Sequence, residues 1–117
     1  MQRLFDSELK VMELVWEHQP VSAKQVSLLA ADALGWSRNT TYTVLTKLEG
    51  KGFIRREDPG FICTAVYSRD QVQCAEAQAL VQKLFGGSRQ ALFSALVQQQ
   101  ALSADEVRAL QEMIEKG

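Results

Sequence analysis

The chain has 117 residues, 46% hydrophobic and 23% charged, with 13 basic and 14 acidic side chains and a formal net charge of −1. That length holds one globular unit, or a small domain with an appendage, and the composition excludes wholesale disorder. No apolar run reaches the roughly 18 residues of a membrane span, the N-terminus lacks the apolar core of a signal peptide, and near-neutrality argues against a uniformly basic nucleic-acid binder. The expectation is a cytoplasmic protein with no membrane contact, whose two cysteines stay reduced.

Leu9, Met12, Val15 and Trp16 recur at helical spacing behind Asp6 or Ser7 as N-cap, which predicts a first helix over about residues 7–18. Gln19-Pro20 ends it. Ser22 and Gln25 form a capping box for a helix of about 23–34, with Val26, Leu29, Ala30 and Ala33 as its stripe and Gly35 as its stop. Ser37 caps a third helix of about 38–50, whose Thr41, Val44, Leu45 and Leu48 have the spacing of a core face. Residues 53–57 and 61–67 are then rich in β-formers, and Asp58-Pro59-Gly60 between them signals a turn, so one β-hairpin is expected. Helices of about 69–85, 89–99 and 104–116 follow, opened by Ser68, Ser88 and the Ser103/Glu106 capping box and separated at Gly86-Gly87.

The fold class is thus mainly α with a small β-hairpin. Residues 1–70 form one domain and 71–117 a helical region with little core of its own. A segment that short is near the limit for independent stability. Burial of Val81, Leu84, Phe85, Leu92, Phe93, Leu96, Val107, Leu110 and Ile114 against a second copy is the economical solution, which predicts a homodimer.

Neither half of the chain is basic: residues 1–70 carry 9 bases and 9 acids, the remainder 4 and 5. Between Arg38 and Arg56, however, stand Arg38, Lys47, Lys51, Arg55 and Arg56 against Glu49 alone, a local balance of five minus one, or +4. Opposite its apolar stripe the third helix carries Asn39, Thr40, Thr43, Thr46, Lys47 and Gly50, with no carboxylate among them. Short hydrogen-bonding side chains beside a cation suit the major groove, where they reach base edges and the thymine methyl. The alternative is a solvated face, although such faces usually mix Glu with Lys, and threonine sacrifices helix propensity. Helix, helix, recognition helix and basic hairpin is the order of a winged helix-turn-helix, with Arg55 and Arg56 near phosphates or the minor groove. Each arginine also reads as an ordinary strand-surface charge.

The run WSRNTTYTVLTKLEGKGFIRRE, followed by a turn and a strand ending in Tyr67, resembles the penicillinase and methicillin-resistance repressor family, which has copper-responsive relatives. Trp36, Thr40, Thr43, Leu45, Leu48, Lys51, Gly52 and Tyr67 match its pattern, as do Glu8, Met12 and Trp16 upstream and Leu102-Ser103-x-Asp105-Glu106 downstream. The resemblance implies a dimeric repressor of a palindromic operator in double-stranded DNA. Asn39, Thr40, Thr43 and Lys47 would face bases, while Ser37, Arg38, Thr46, Lys51, Arg55 and Arg56 would hold the backbone. Family members inactivated by a sensor protease carry an Asn-Phe bond where this chain has Ala95-Leu96, and the copper-responsive branch ends in Cys-x-Cys pairs that do not occur after Cys74. Neither inducing signal carries over.

Catalysis and cofactors are not expected. One histidine, His18 at a helix end, supplies no Ser-His-Asp set, and Cys63 and Cys74 lack structural-zinc spacing. Both cysteines read as buried thiols, with a redox or metal switch as the other reading. Trp16 and Trp36 read as packing residues. A winged-helix module used only for protein–protein contacts is the competing function.

Overall fold

The computed structural model describes residues 1–116, the side chains of 113–116 excepted. Helix α1 spans Asp6–His18, and its N-cap is Phe5 rather than Asp6 or Ser7. The Glu8 carboxylate accepts the Phe5 N–H at 2.8 Å, the half of a capping box in which the third helical residue reaches back to the N-cap backbone. The buried face of α1 is Glu8, Val11, Met12 and Val15. Leu9, assigned to that face from its spacing, lies exposed instead.

Helix α2 (Ala23–Leu34) has Ser22 as its N-cap, whose Oγ accepts the Gln25 N–H at 3.1 Å, and ends at Gly35, where φ of +69° turns the chain left-handed. Its buried positions are Ala23, Val26, Ser27 and Ala30; Ala33 of the expected stripe is exposed. Helix α3 (Arg38–Gly50) buries Thr41, Val44, Leu45 and Leu48, the four positions its periodicity marks.

The β-region differs from a simple hairpin. Strands β2 (Ile54–Glu57) and β3 (Ile62–Ala65) pair antiparallel, and β1 (Val21–Ser22) adds to the free side of β3, giving the order β1-β3-β2. Val21 faces Cys63 and Ser22 faces Ile62, while Arg55 faces Thr64 and Arg56 faces Cys63. Two residues carry no periodic signal, so β1 is invisible in the sequence. Ser22 therefore closes the sheet and opens α2 at once, which joins the strand layer directly to the helices.

Phe53, Met12, Leu45, Leu48, Val11 and Val15 are fully buried at the centre of this layer, each contributing about 2 kcal/mol of apolar burial. Trp16 and Trp36 pack against this core, consistent with their reading as packing residues. The order α1–α2–α3–β2–β3 with a short third strand is a winged helix-turn-helix.

Three helices follow: α4 (Arg69–Phe85), α5 (Arg89–Gln98) and α6 (Ala104–Lys116). The chain forms two compact units that divide inside α4, at Ala75/Glu76. The first turns of α4 belong to the first unit. Val72 is buried in its core, Arg69 pairs with Glu13 at 2.8 Å, and the Trp16 indole N–H donates to the Tyr67 carbonyl at 2.9 Å. In the second unit Ser103 and Glu106 cap α6 reciprocally, at 2.9 and 3.1 Å.

Candidate nucleic-acid interface

Helix α3 divides sharply by chemistry. Its inner side is sealed into the core, and Arg38, Asn39, Thr40, Thr43, Thr46 and Lys47 are all exposed, together with the cap Ser37. Asn39, Tyr42, Thr43, Thr46 and Lys47 line one open depression. None of these lining residues carries a carboxylate, so an approaching anion meets no acid in the depression itself.

The hydroxyls on this face are oriented from within the helix. Ser37 Oγ accepts the Thr40 N–H at 3.2 Å and lies 2.9 Å from Thr40 Oγ1. Thr43 Oγ1 donates to the Asn39 carbonyl at 2.8 Å, and Thr46 Oγ1 to the Tyr42 carbonyl at 2.9 Å. With their protons directed back to the preceding turn, Thr43 and Thr46 turn oxygen lone pairs and a methyl outward. Such a side chain accepts from an adenine or cytosine amino group and contacts a thymine methyl.

The basic residues do not behave as one set. Arg38 lies over the Tyr42 ring, with Cζ 5.1 Å from its centroid. Arg55 and Arg56 are neighbours in β2 and so point to opposite faces of the sheet. Arg55 is exposed, and its guanidinium makes no hydrogen bond or ion pair with the described residues. Arg56 stacks on Phe61, Cζ 3.9 Å from the ring centroid, and its Nε donates to both Asp58 oxygens at 3.2 Å.

Lys51 is engaged within the unit. Sequence position placed it among the backbone contacts, but its ammonium is held inside the unit. Nζ lies 2.7 Å from Glu8 Oε1 and 3.2 Å from the Arg3 carbonyl, and 4.3 Å from the Phe5 ring centroid. A buried carboxylate that needs a cation outcompetes a distant phosphate for this side chain. Glu8 itself escaped the sequence reading, because an acid near a helix start is usually a solvated cap. Burial opposes its ionisation, yet the Lys51 and Phe5 hydrogen bonds and the charges of Lys51 and Lys47 outweigh that, holding the carboxyl below the usual range.

The expectation of two buried thiols holds for Cys63 alone. Burial, with Glu49 nearby, pushes that thiol up to about 11, where it is inert at neutral pH. Cys74 is exposed on α4. No group of three or more His, Cys, Asp or Glu side chains suited to a metal occurs among the described residues.

The second unit presents the apolar positions expected at a dimer interface in different states of exposure. Val81 is buried, Leu84 is exposed, and Phe85, Leu92, Phe93, Leu96, Val107 and Leu110 are half-buried. The side chain of Ile114 lies outside the described residues. Phe93, Val97, Leu102, Val107 and Leu110 line an apolar groove of about 360 Å³ between α5 and α6. Among the described residues no helix is long and apolar enough to cross a membrane.

Comparison with known proteins covers the whole of this architecture. The family model described as penicillinase repressor matches residues 4–116. The penicillinase repressor of Bacillus licheniformis is 22% identical over 116 residues, covering 97% of this chain and 91% of that one. The methicillin resistance regulatory protein MecI of Mammaliicoccus sciuri is 25% identical over 112 residues, covering 94% and 91%. Among solved structures, the DNA-binding domain of the repressor BlaI aligns with a TM-score of 0.53 and 28% identity, covering 56% of this chain and 83% of that domain.

Proposed function

Since the chain belongs to the penicillinase repressor family, whose members are transcriptional repressors rather than enzymes, we propose that it is a cytoplasmic homodimer that represses transcription by reading a palindromic operator. The observation that carries this reading is the exposed, carboxylate-free outer face of α3. Asn39, Thr40, Thr43 and Lys47 enter the major groove and contact base edges. Ser37, Arg38, Thr46, Arg55 and Arg56 hold the flanking backbone, the arginines through phosphates. Residues 1–70 supply the DNA-binding domain.

Residues 71–117 supply the dimer contact, supported by the groove between α5 and α6 and by the exposed Leu84. Two-fold symmetry then sets two half-sites related by a dyad. A sedimentation experiment is expected to show a species of twice the 13.1 kDa chain mass. A monomer at every concentration contradicts the dimer.

Base reading and backbone holding separate experimentally. Thr43→Ala is expected to weaken binding to a selected operator by about tenfold while leaving random DNA nearly unaffected; Arg55→Ala weakens both by similar factors. Gel-shift titration of each variant against both duplexes makes the comparison. Equal losses for Thr43→Ala remove Thr43 from the base-reading set. Wild-type protein that prefers no duplex over random DNA favours the protein–protein module instead.

A further inference from the structure

The recognition helix and the wing meet through an aromatic pair to which the proposed function assigns no task. The Tyr42 ring of α3 and the Phe61 ring at the head of β3 lie 6.0 Å apart, edge to face at 77°. Each ring carries a guanidinium, Arg38 over Tyr42 and Arg56 over Phe61. Phe61 is anchored at both ends of its peptide unit: its N–H donates to Asp58 Oδ1 at 3.2 Å, and its carbonyl accepts the Ala23 N–H at 2.9 Å. Its φ of +48° is left-handed, a conformation that a phenylalanine keeps only where the surroundings hold it.

We propose that Tyr42 is a positioning residue for DNA binding: through Phe61 it sets the wing guanidinium of Arg56 relative to the base-reading face of α3. This inference rests on the DNA-binding reading above. The chain of contacts is physical at every link. Tyr42 and Phe61 pack nearly perpendicular, the Phe61 face carries the Arg56 guanidinium, and Asp58 takes the Arg56 Nε–H. Stacking covers one face of the guanidinium, and the Asp58 bond fixes its rotation, which leaves Nη1 and Nη2 as the edge that meets a phosphate. A planar fork held this way loses little rotamer freedom when it binds. Tyr42 also lines the depression with Asn39, Thr43, Thr46 and Lys47, so one ring touches both the base-reading surface and the wing.

The test uses the full chain and a duplex enriched from a randomised pool by the wild-type protein. The readout is the slope of log affinity against log salt, which counts phosphate contacts. Arg56→Ala is expected to make the slope shallower by about one contact per protomer. Tyr42→Ala removes no charge, yet it is expected to make the slope shallower by the same amount, with an affinity loss of about tenfold, and to change the slope no further in the Arg56→Ala background. A further change there means that Arg38, which also rests on the Tyr42 ring, is the guanidinium displaced, and overturns the proposal. Tyr42→Phe keeps the ring edge and retains the wild-type slope. Tyr42→Leu, which preserves apolar volume, behaves like Tyr42→Ala and guards against a folding artefact. Weaker binding of Tyr42→Ala and Tyr42→Leu with an unchanged slope, or no change at all, overturns the proposal while leaving the DNA-binding reading intact. Failure of the wild-type chain to enrich any duplex overturns both.

Discussion

Lys51→Met is expected to lower folding stability by roughly 2–3 kcal/mol at neutral pH, an effect out of proportion to a lysine at a helix end. Surface ion pairs contribute little, but this pair is not on the surface. The Glu8 side chain is 1% exposed and that of Lys51 20%. Glu8 Oε2 is buried without a hydrogen-bond partner among the described residues, so both hydrogen bonds that stabilise the carboxylate fall on Oε1. Loss of the ammonium leaves a carboxylate in an apolar setting. The partial exposure of Lys51 keeps the figure below the roughly 3–5 kcal/mol of fully buried pairs. The double variant Glu8→Met with Lys51→Met is expected to recover most of the loss, because no orphaned charge remains.

The pH dependence follows in sign. With its carboxyl held below the ordinary range, Glu8 contributes stability in full above its unfolded pKa of about 4.3, and that contribution vanishes as pH falls through the lower folded value. In Lys51→Met burial acts with less opposition and favours the protonated form. The deficit against wild type is therefore largest near neutrality and shrinks on acidification. Urea denaturation at about pH 7 and about pH 4 measures both; a deficit below about 0.5 kcal/mol, or one that grows in acid, contradicts this role for the pair.

Operator binding by the proposed dimer is expected to fall about a thousandfold between roughly 50 and 200 mM salt. In the proposed complex Arg38, Arg55 and Arg56 are the guanidiniums offered to phosphates, three per protomer and six in a dimer. With about 0.9 of a counterion released per contact, six contacts give a slope near −5, and a fourfold rise in salt then costs about three powers of ten. Lys51 does not enter this count, because its charge is satisfied by Glu8. Fluorescence anisotropy across a salt series gives the slope directly. A value shallower than about −3 means that half of the arginines do not reach the backbone.

How much of this was legible in the sequence depends on how each feature signals itself. The limits of α2 could be read to the residue, because Ser22 and Gly35 are chemically distinctive caps. The core face of α3 was equally plain, since four apolar or small residues, none of them charged, recur at helical spacing. The exposed threonines stood out for a related reason: a solvated face rarely lacks acids. Spacing misled at α1, where Leu9 fits the apolar stripe and yet faces out while Glu8 faces in. No local pattern announces that a glutamate's partner waits 43 residues away at Lys51. Adjacent arginines likewise look like one patch until the pleat sends them to opposite faces. The Tyr42–Phe61 contact depends on the wing folding back on α3, a relation between distant segments that no local spacing encodes.

The strand order β1-β3-β2 places β2 at an open edge of the sheet. Unpaired backbone groups along such an edge invite strands from other molecules, and short length and charge are the usual defences. Strand β2 has four residues, of which Arg55, Arg56 and Glu57 are charged. The arginines proposed to meet DNA thus also supply the charge that usually defends such an edge. A variant stripped of both to abolish repression is therefore exposed to aggregation as well, and its solubility has to be measured before its loss of DNA binding is attributed to missing phosphate contacts.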